Sequence, residues 1–200
     1  MKSALLAIEE EAYPNRYRWT VVTFHQLVEL DFLVGRFEIL DGEVICKSDQ
    51  SPTHRISLIL LSEVLFGLFG VQRVQTEKPI TLPNPDGEWS EPEPDIAVTR
   101  ETTITYNDRN PGSDDLLLIV EVSDATLRTD LLVKGRLYAR AAIEEYWVLD
   151  LTGRQLHVHR HPSNGEYSDV TIYGEYDTVA AISQPDAPIA IASLFAPTGE

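Results

Sequence analysis

The strongest constraint on this chain is an apolar run, Leu116-Leu117-Leu118-Ile119-Val120, that ends on an acid, Glu121. Unbroken aliphatic runs suit a β-strand covered on both faces, because a half-exposed strand would alternate with polar residues. A carboxylate where such a strand emerges is costly unless a cation, a proton or a hydrogen-bond network meets it. Val122 and a polar turn, Ser123-Asp124-Ala125-Thr126, follow, and the spacing then predicts a helix over 129–142 with Asp130 and Lys134 one turn apart. A second apolar run, Tyr146-Trp147-Val148-Leu149, ends on Asp150. Strand, crossover helix and strand predict a parallel pair. Another acid heads a further apolar strand at Pro94-Asp95-Ile96-Ala97-Val98. Two acids on two strands, with a lysine from the next helix, form a candidate metal site.

Two hundred residues, 43% of them hydrophobic, suffice for one domain with a real core. Residues 20–195 are read as that domain, 1–19 as an N-terminal extension and 196–200 as a tail. The formal charge of −16 argues against a protein that coats nucleic acid or an anionic membrane. A nuclease survives that argument, because clustered acids hold divalent cations and basic residues can be segregated. Residues 86–124 carry eleven acids against two arginines, whereas 125–161 carry six basic residues against four acids. Arg128, Lys134, Arg136 and Arg140 are the candidates for a positive patch beside the cleft. The lone cysteine, Cys46, fits a reducing compartment and reads as a buried structural thiol. With no signal-peptide pattern and no apolar run of membrane-spanning length, the expectation is a cytoplasmic protein with no membrane contact.

Thr23 to Leu33 reads as a first helix capped by Thr23. Residues 36–40 and 43–47 flank Asp41-Gly42 as a hairpin, with Phe37, Ile39, Val44 and Cys46 on one face. Glu38 falls on the other face, an acid among partly apolar neighbours. Ser51-Pro52 opens a helix whose leucine stripe, Leu58, Leu61 and Leu65, places His54 at the start of the inward side. Val71 to Leu82 reads as a strand and 99–115 as a loop. Beyond Asp150, residues 155–160 and 167–173 read as a hairpin, with His157, His159 and His161 as surface histidines. A short strand near 178–180 and a helical turn within 189–195 close the chain. Interspersed helices and strands predict an α/β (mixed α+β) fold with a central mixed β-sheet flanked by helices.

Asp95 and Glu121 supply the hard oxygen donors that Mg²⁺ or Mn²⁺ takes, and the backbone carbonyl of Val122 or Ser123 would add a third. Lys134 could orient or deprotonate a water, or stabilise charge developing on phosphorus. Residue chemistry alone leaves blander readings open: Asp95 as a turn residue, Glu121 at a wet strand edge, Asp130 with Lys134 as a surface pair. His54 reads equally as a satisfied core histidine, and Glu38 as an exposed hairpin acid.

Several motifs together resemble the Uma2 family of the PD-(D/E)XK nuclease superfamily. They are Phe37 to Val44 (FEILDGEV), Ser51 to His54 (SPTH), Glu93 to Val98 (EPDIAV), Ile119 to Thr126 (IVEVSDAT), Asp130 and Lys134 with Tyr138, and Glu144 to Asp150 (EEYWVLD). The resemblance implies a restriction-endonuclease-like fold, with Pro94-Asp95 as the PD and Glu121-Val122-Ser123 on the (D/E)XK triplet. Ser123 stands where that triplet has lysine, and the resemblance assigns the amine to Lys134. It implies catalytic residues Asp95, Glu121 and Lys134; His54 and Glu38, on the inward or half-buried sides of their elements, are expected to join the catalytic set at the cleft rim, and the metal to be held by Asp95, Glu121 and Val122. The leading expectation is a Mg²⁺- or Mn²⁺-dependent endonuclease acting on DNA as a homodimer, with Tyr167, Tyr173 and Tyr176 near its interface. A catalytically inactive interaction module and a non-nuclease hydrolase using the same acids are the alternatives.

Overall fold

The structure, a computed structural model, describes residues 17–47 and 50–197. The extension expected over 1–19 lies outside the described residues except for 17–19, and the tail over 196–200 except for 196–197.

Six strands form one mixed sheet in the order β3-β4-β5-β6-β7-β8. They are β3 (Val74–Thr76), β4 (Ile96–Thr99), β5 (Leu116–Ser123), β6 (Glu145–Asp150), β7 (Gln155–Ser163) and β8 (Glu166–Gly174). The two apolar runs make the parallel pair, with Ile119 beside Tyr146 and Ser123 beside Asp150; the other neighbouring pairs are antiparallel. After a short helix α3 (Asp86–Trp89), their crossover is the helical segment α4, residues 127–140, and helices lie on both sheet faces as the α/β reading requires.

Strand alternation splits β5 between two cores. Leu118, Val120 and Val122 pack with Leu58, Leu61, Leu65 and Phe69 of helix α2 (Pro52–Phe69). On the other face Ile119 packs with Tyr146, Val148 and, from α4, Leu137 and Tyr138. Glu121 has the parity of Ile119, so it points under α4. By length and composition α2 could cross a membrane, at 18 residues and mean hydropathy 1.2, but its leucine stripe is spent on the sheet.

β1 (Phe37–Leu40) and β2 (Glu43–Cys46) pair in the expected register, Phe37 opposite Cys46 and Ile39 opposite Val44. Asp41 and Gly42 have φ of 49° and 83°, the left-handed pair whose twist matches a two-residue hairpin. Among the described residues β2 pairs with β1 alone, and Cys46 at its end is exposed, which corrects the buried-thiol reading.

Other boundaries also differ. Helix α1 is Val21–Glu29, and Thr20 rather than Thr23 caps it, accepting the Thr23 N–H at 3.1 Å. Val71 to Leu82 is not one strand: a tight turn at Val71–Arg73 precedes β3, which ends at Thr76, and Glu77, at φ 52°, still donates its N–H to the Asp95 carbonyl at 3.0 Å. The loop 99–115 holds short helical turns at Thr103–Tyr106 and Ser113–Asp115. His157 and His159 are buried, correcting the surface reading; the His159 ring sits 5.5 Å from that of Tyr146 and 5.6 Å from that of Tyr167. His161 is exposed as expected.

Candidate active site

Antiparallel pairing sets Ile96 beside Val120, so the next rung brings Asp95 level with Glu121. The Val122 N–H donates to Asp95 Oδ2 at 2.7 Å. α2 begins at this same end, with Ser51 capping it by accepting the His54 N–H at 3.1 Å. The His54 Nε2 then lies 3.3 Å from Asp95 Oδ2. Burial would raise the pKa of Asp95, but the His54 hydrogen bond and charge, the Val122 N–H and Lys134 hold it below the ordinary value. Burial would lower that of His54, and Asp95 beside it raises it instead.

α4 supplies the other wall. Its first turn, Leu127–Thr129, and last part, Gly135–Arg140, flank a widened π turn, Asp130–Lys134, in which the Gly135 N–H reaches the Asp130 carbonyl. The Tyr146 O–H donates to the same carbonyl at 3.0 Å. Such single widened turns recur at functional sites, and this one points both Asp130 and Lys134 inward, 4% and 3% exposed. Lys134 Nζ lies 3.0 Å from Glu121 Oε1 and 3.1 Å from Glu38 Oε2. Glu38, brought in by the hairpin, also accepts the Glu93 N–H at 3.1 Å. One turn beyond Lys134, the Tyr138 O–H donates to Glu121 Oε1 at 3.0 Å. Asp130 forms no surface pair: its Oδ2 accepts from the hydroxyls of Ser123 at 2.5 Å and Thr126 at 2.7 Å.

The electrostatics follow from this crowding. Burial, with Asp95, Asp130 and Glu38 nearby, pushes Glu121 up to about 8 against the pull of Lys134. Burial likewise raises Asp130, although Lys134 and the two hydroxyls oppose it. Burial would lower Lys134, but Glu121 and Glu38 on its ammonium raise it well above the ordinary lysine value. An amine held as a cation cannot take a proton from water. In that state the lysine suits orientation and charge stabilisation, two of the roles read from the sequence. Tyr138 is also raised, by burial and then by Glu121, so it stays an O–H donor.

Glu38, His54, Asp95, Glu121, Val122, Asp130 and Lys134 line one cavity of about 220 Å³. With Asp124 five carboxylates line it, against the cations Lys134, Arg36 and Lys47 and the imidazole of His54. Asp95 is bonded through Oδ2 and Glu121 through Oε1, so each carboxylate keeps an oxygen outside these bonds. Hard oxygens with surplus negative charge fit Mg²⁺ or Mn²⁺. Among the described residues no three His, Cys, Asp or Glu side chains form a ready-made cage. An ion would accordingly take Asp95, Glu121, the Val122 carbonyl and water.

The four-residue positive patch is corrected. Lys134 is enclosed, and Arg140 is held by Asp86 and Asp41, each at 2.9 Å; Arg128 is exposed and Arg136 half-buried. The hydroxyl support of Asp130 and the grip of Tyr138 on Glu121 escaped reasoning from residue chemistry. Tyr138 follows Lys134 by four residues, the spacing that stacks side chains on one helix face, and that signal could have found it.

A sequence model of the Uma2 family, described as "Putative restriction endonuclease", matches residues 22–189. Among solved structures, the crystal structure of "a putative nuclease belonging to DUF820" from Anabaena variabilis superposes with a TM-score of 0.60. Its identity is 16%, over 84% of this chain and 96% of that one, a likeness of fold. No curated protein matches the chain. The family match spans most of the sequence and contains Glu38, His54, Asp95, Glu121 and Lys134, and the chain belongs to the Uma2 family.

Proposed function

We propose that this protein is a divalent-metal-dependent endonuclease hydrolysing DNA phosphodiester bonds, with Mg²⁺ or Mn²⁺ held by Asp95, Glu121 and the Val122 carbonyl. The observation that carries the reading is the convergence of Asp95, Glu121 and Lys134 in one cavity of a nuclease-family fold. When bound, the ion supplies Lewis acidity and a water acidic enough to attack at neutral pH. The protein's own groups do the remaining work. Lys134, fixed between Glu121 and Glu38, sets positive charge where a phosphorane-like oxygen gains negative charge. Glu38, anchored by the Glu93 N–H, keeps the amine from swinging away. His54 and the Val122 N–H orient Asp95.

One observation favours a second reading, an inactive module on the same fold. The net charge is −16, and the cations on the cavity rim are neutralised, Arg36 by Glu77 and Glu93 and Lys47 by Glu93. DNA would arrive with little long-range steering. Supercoiled, linear and single-stranded DNA incubated with Mg²⁺ or Mn²⁺ decides between them. Nicking that needs metal and disappears in Asp95→Asn supports the nuclease; intact DNA under every condition supports the inactive module.

The homodimer belongs to the same proposal. At the β8 edge the exposed apolar groups are Val170, Ile172 and Tyr176. Tyr167 is instead engaged with the Ile143 carbonyl and Tyr173 packs against the core, which narrows the aromatic interface read from the sequence. A monomer mass by light scattering at micromolar concentrations would reject the dimer.

A further inference from the structure

Taking the proposed metal site as its premise, we propose that Tyr138 is a positioning residue that commits one oxygen of Glu121 to the ion. The terminal torsion of a glutamate is soft and roughly two-fold, so a carboxylate held by charge alone turns easily between its two oxygens. Lys134 cannot set that choice by itself. Its ammonium is a compact point charge with rotatable donors, already shared with Glu38, and would follow either oxygen.

Tyr138 differs in kind. Its ring is fully buried, edge-on to Tyr146 with centroids 4.9 Å apart and planes at 70°. A phenol on a fixed ring offers its proton over a narrow range of directions, and here the hydroxyl meets Glu121 Oε1 at 3.0 Å. Lys134 lands on the same oxygen. Both donors therefore gather on Oε1, and Oε2 is left to the cavity that Glu121 lines. Asp95 repeats the arrangement, with the Val122 N–H and His54 both on Oδ2. Groups that hold a ligand by its second atom fix its orientation, and losing one typically weakens metal binding about 10–100-fold.

The plain alternative is that the tyrosine fills the core and its hydroxyl merely finds a partner. Calorimetric titration of Mn²⁺ into the wild type, Tyr138→Phe and Tyr167→Phe separates the two. Phenylalanine keeps the ring volume, and a cooperative metal-free melt verifies that each variant is folded. Tyr167→Phe is the matched control, since it deletes a hydroxyl bonded to the Ile143 carbonyl at 2.9 Å. Tyr138→Phe should weaken Mn²⁺ binding about 10-fold or more, with Tyr167→Phe unchanged. DNA cleavage by Tyr138→Phe should regain the wild-type maximal rate once Mn²⁺ is saturating, with only the half-saturating concentration raised. Equal Mn²⁺ affinity in Tyr138→Phe and wild type overturns the positioning role and leaves the nuclease reading standing. A wild type that takes up no Mn²⁺ overturns both.

Discussion

Two glutamates are buried in neighbouring strands of one sheet, and they are solved in opposite ways. Glu145, at the start of β6, is completely enclosed and fully bonded. Its Oε1 accepts from Arg160 Nε at 2.8 Å and Trp147 Nε1 at 2.9 Å, with Arg160 Nη2 paired ionically 2.7 Å away, and its Oε2 accepts the Ile182 N–H at 2.8 Å. One guanidinium answers one carboxylate, and both oxygens are used. Glu121, near the end of β5, is 3% exposed, takes both its bonds on one oxygen, and is pushed up to about 8 by burial and by Asp95, Asp130 and Glu38. Burial is common to both; completeness is not. Glu145 needs nothing beyond the chain, whereas the Glu121 cluster is left with surplus negative charge that a divalent cation would balance.

The largest effect expected from breaking this contrast is on the self-sufficient side. Glu145→Ala strands the Arg160 guanidinium and the Trp147 and Ile182 donors, and should cost about 3–5 kcal/mol in urea unfolding. Mn²⁺ affinity should be retained at temperatures where the variant stays folded. Lys134→Met tests the incomplete side with its volume kept. Cleavage should fall about 10²–10³-fold in the plasmid assay, while calorimetry should still register Mn²⁺, because the amine ligates nothing and its removal takes a like charge from beside the ion.

A smaller effect lies in the pH dependence of the metal-free protein. Glu121 is raised above its unfolded value of 4.5 to about 8, so between those limits the folded state binds the extra proton and stability falls as pH rises. Glu121→Gln should flatten that decline in denaturation midpoints measured across the window. Asp95 has the opposite sign: its lowered folded value stabilises above the unfolded 3.8, and the contribution is lost as pH falls through the folded value. The two slopes thus occupy separate pH ranges. The smallest expected effect is that of Cys46→Ser at the exposed end of β2, within about 0.5 kcal/mol of wild type.

The same contrast marks what the sequence made legible. The parallel β5–β6 pair could be read because both strands are continuous apolar runs joined by one helix. The hairpin register could be read because Asp41-Gly42 admits essentially one turn. The convergence of Lys134 on Glu121 was anticipated through the family resemblance, since helical spacing alone allowed an ordinary surface pair. Other features depend on contacts remote in sequence. Glu145 passed as a lead-in to β6 because its partners, Arg160 and Ile182, come 15 and 37 residues later. His157 and His159 alternate as surface residues would, yet both are buried, His159 beside the rings of Tyr146 and Tyr167. The π turn has no compositional signal; it shows in the Gly135 N–H bond to Asp130 and the hydroxyl of Tyr146 on that carbonyl. Cys46 was misplaced because alternation says which residues share a face but not whether anything covers it.

The central claim, that the Glu121 cluster is completed by a divalent ion, is tested most directly by thermal melting against Mn²⁺ concentration. An ion that binds the folded state alone stabilises by mass action, about 2.7 kcal/mol at a hundred times its dissociation constant. The wild-type Tm should therefore climb with the logarithm of Mn²⁺ concentration once the site begins to fill. Glu145→Ala should climb in parallel from a lower start, and Asp95→Asn and Glu121→Gln should stay flat. A wild-type Tm that ignores Mn²⁺ and Mg²⁺, or one that rises equally in Glu121→Gln, would contradict the account.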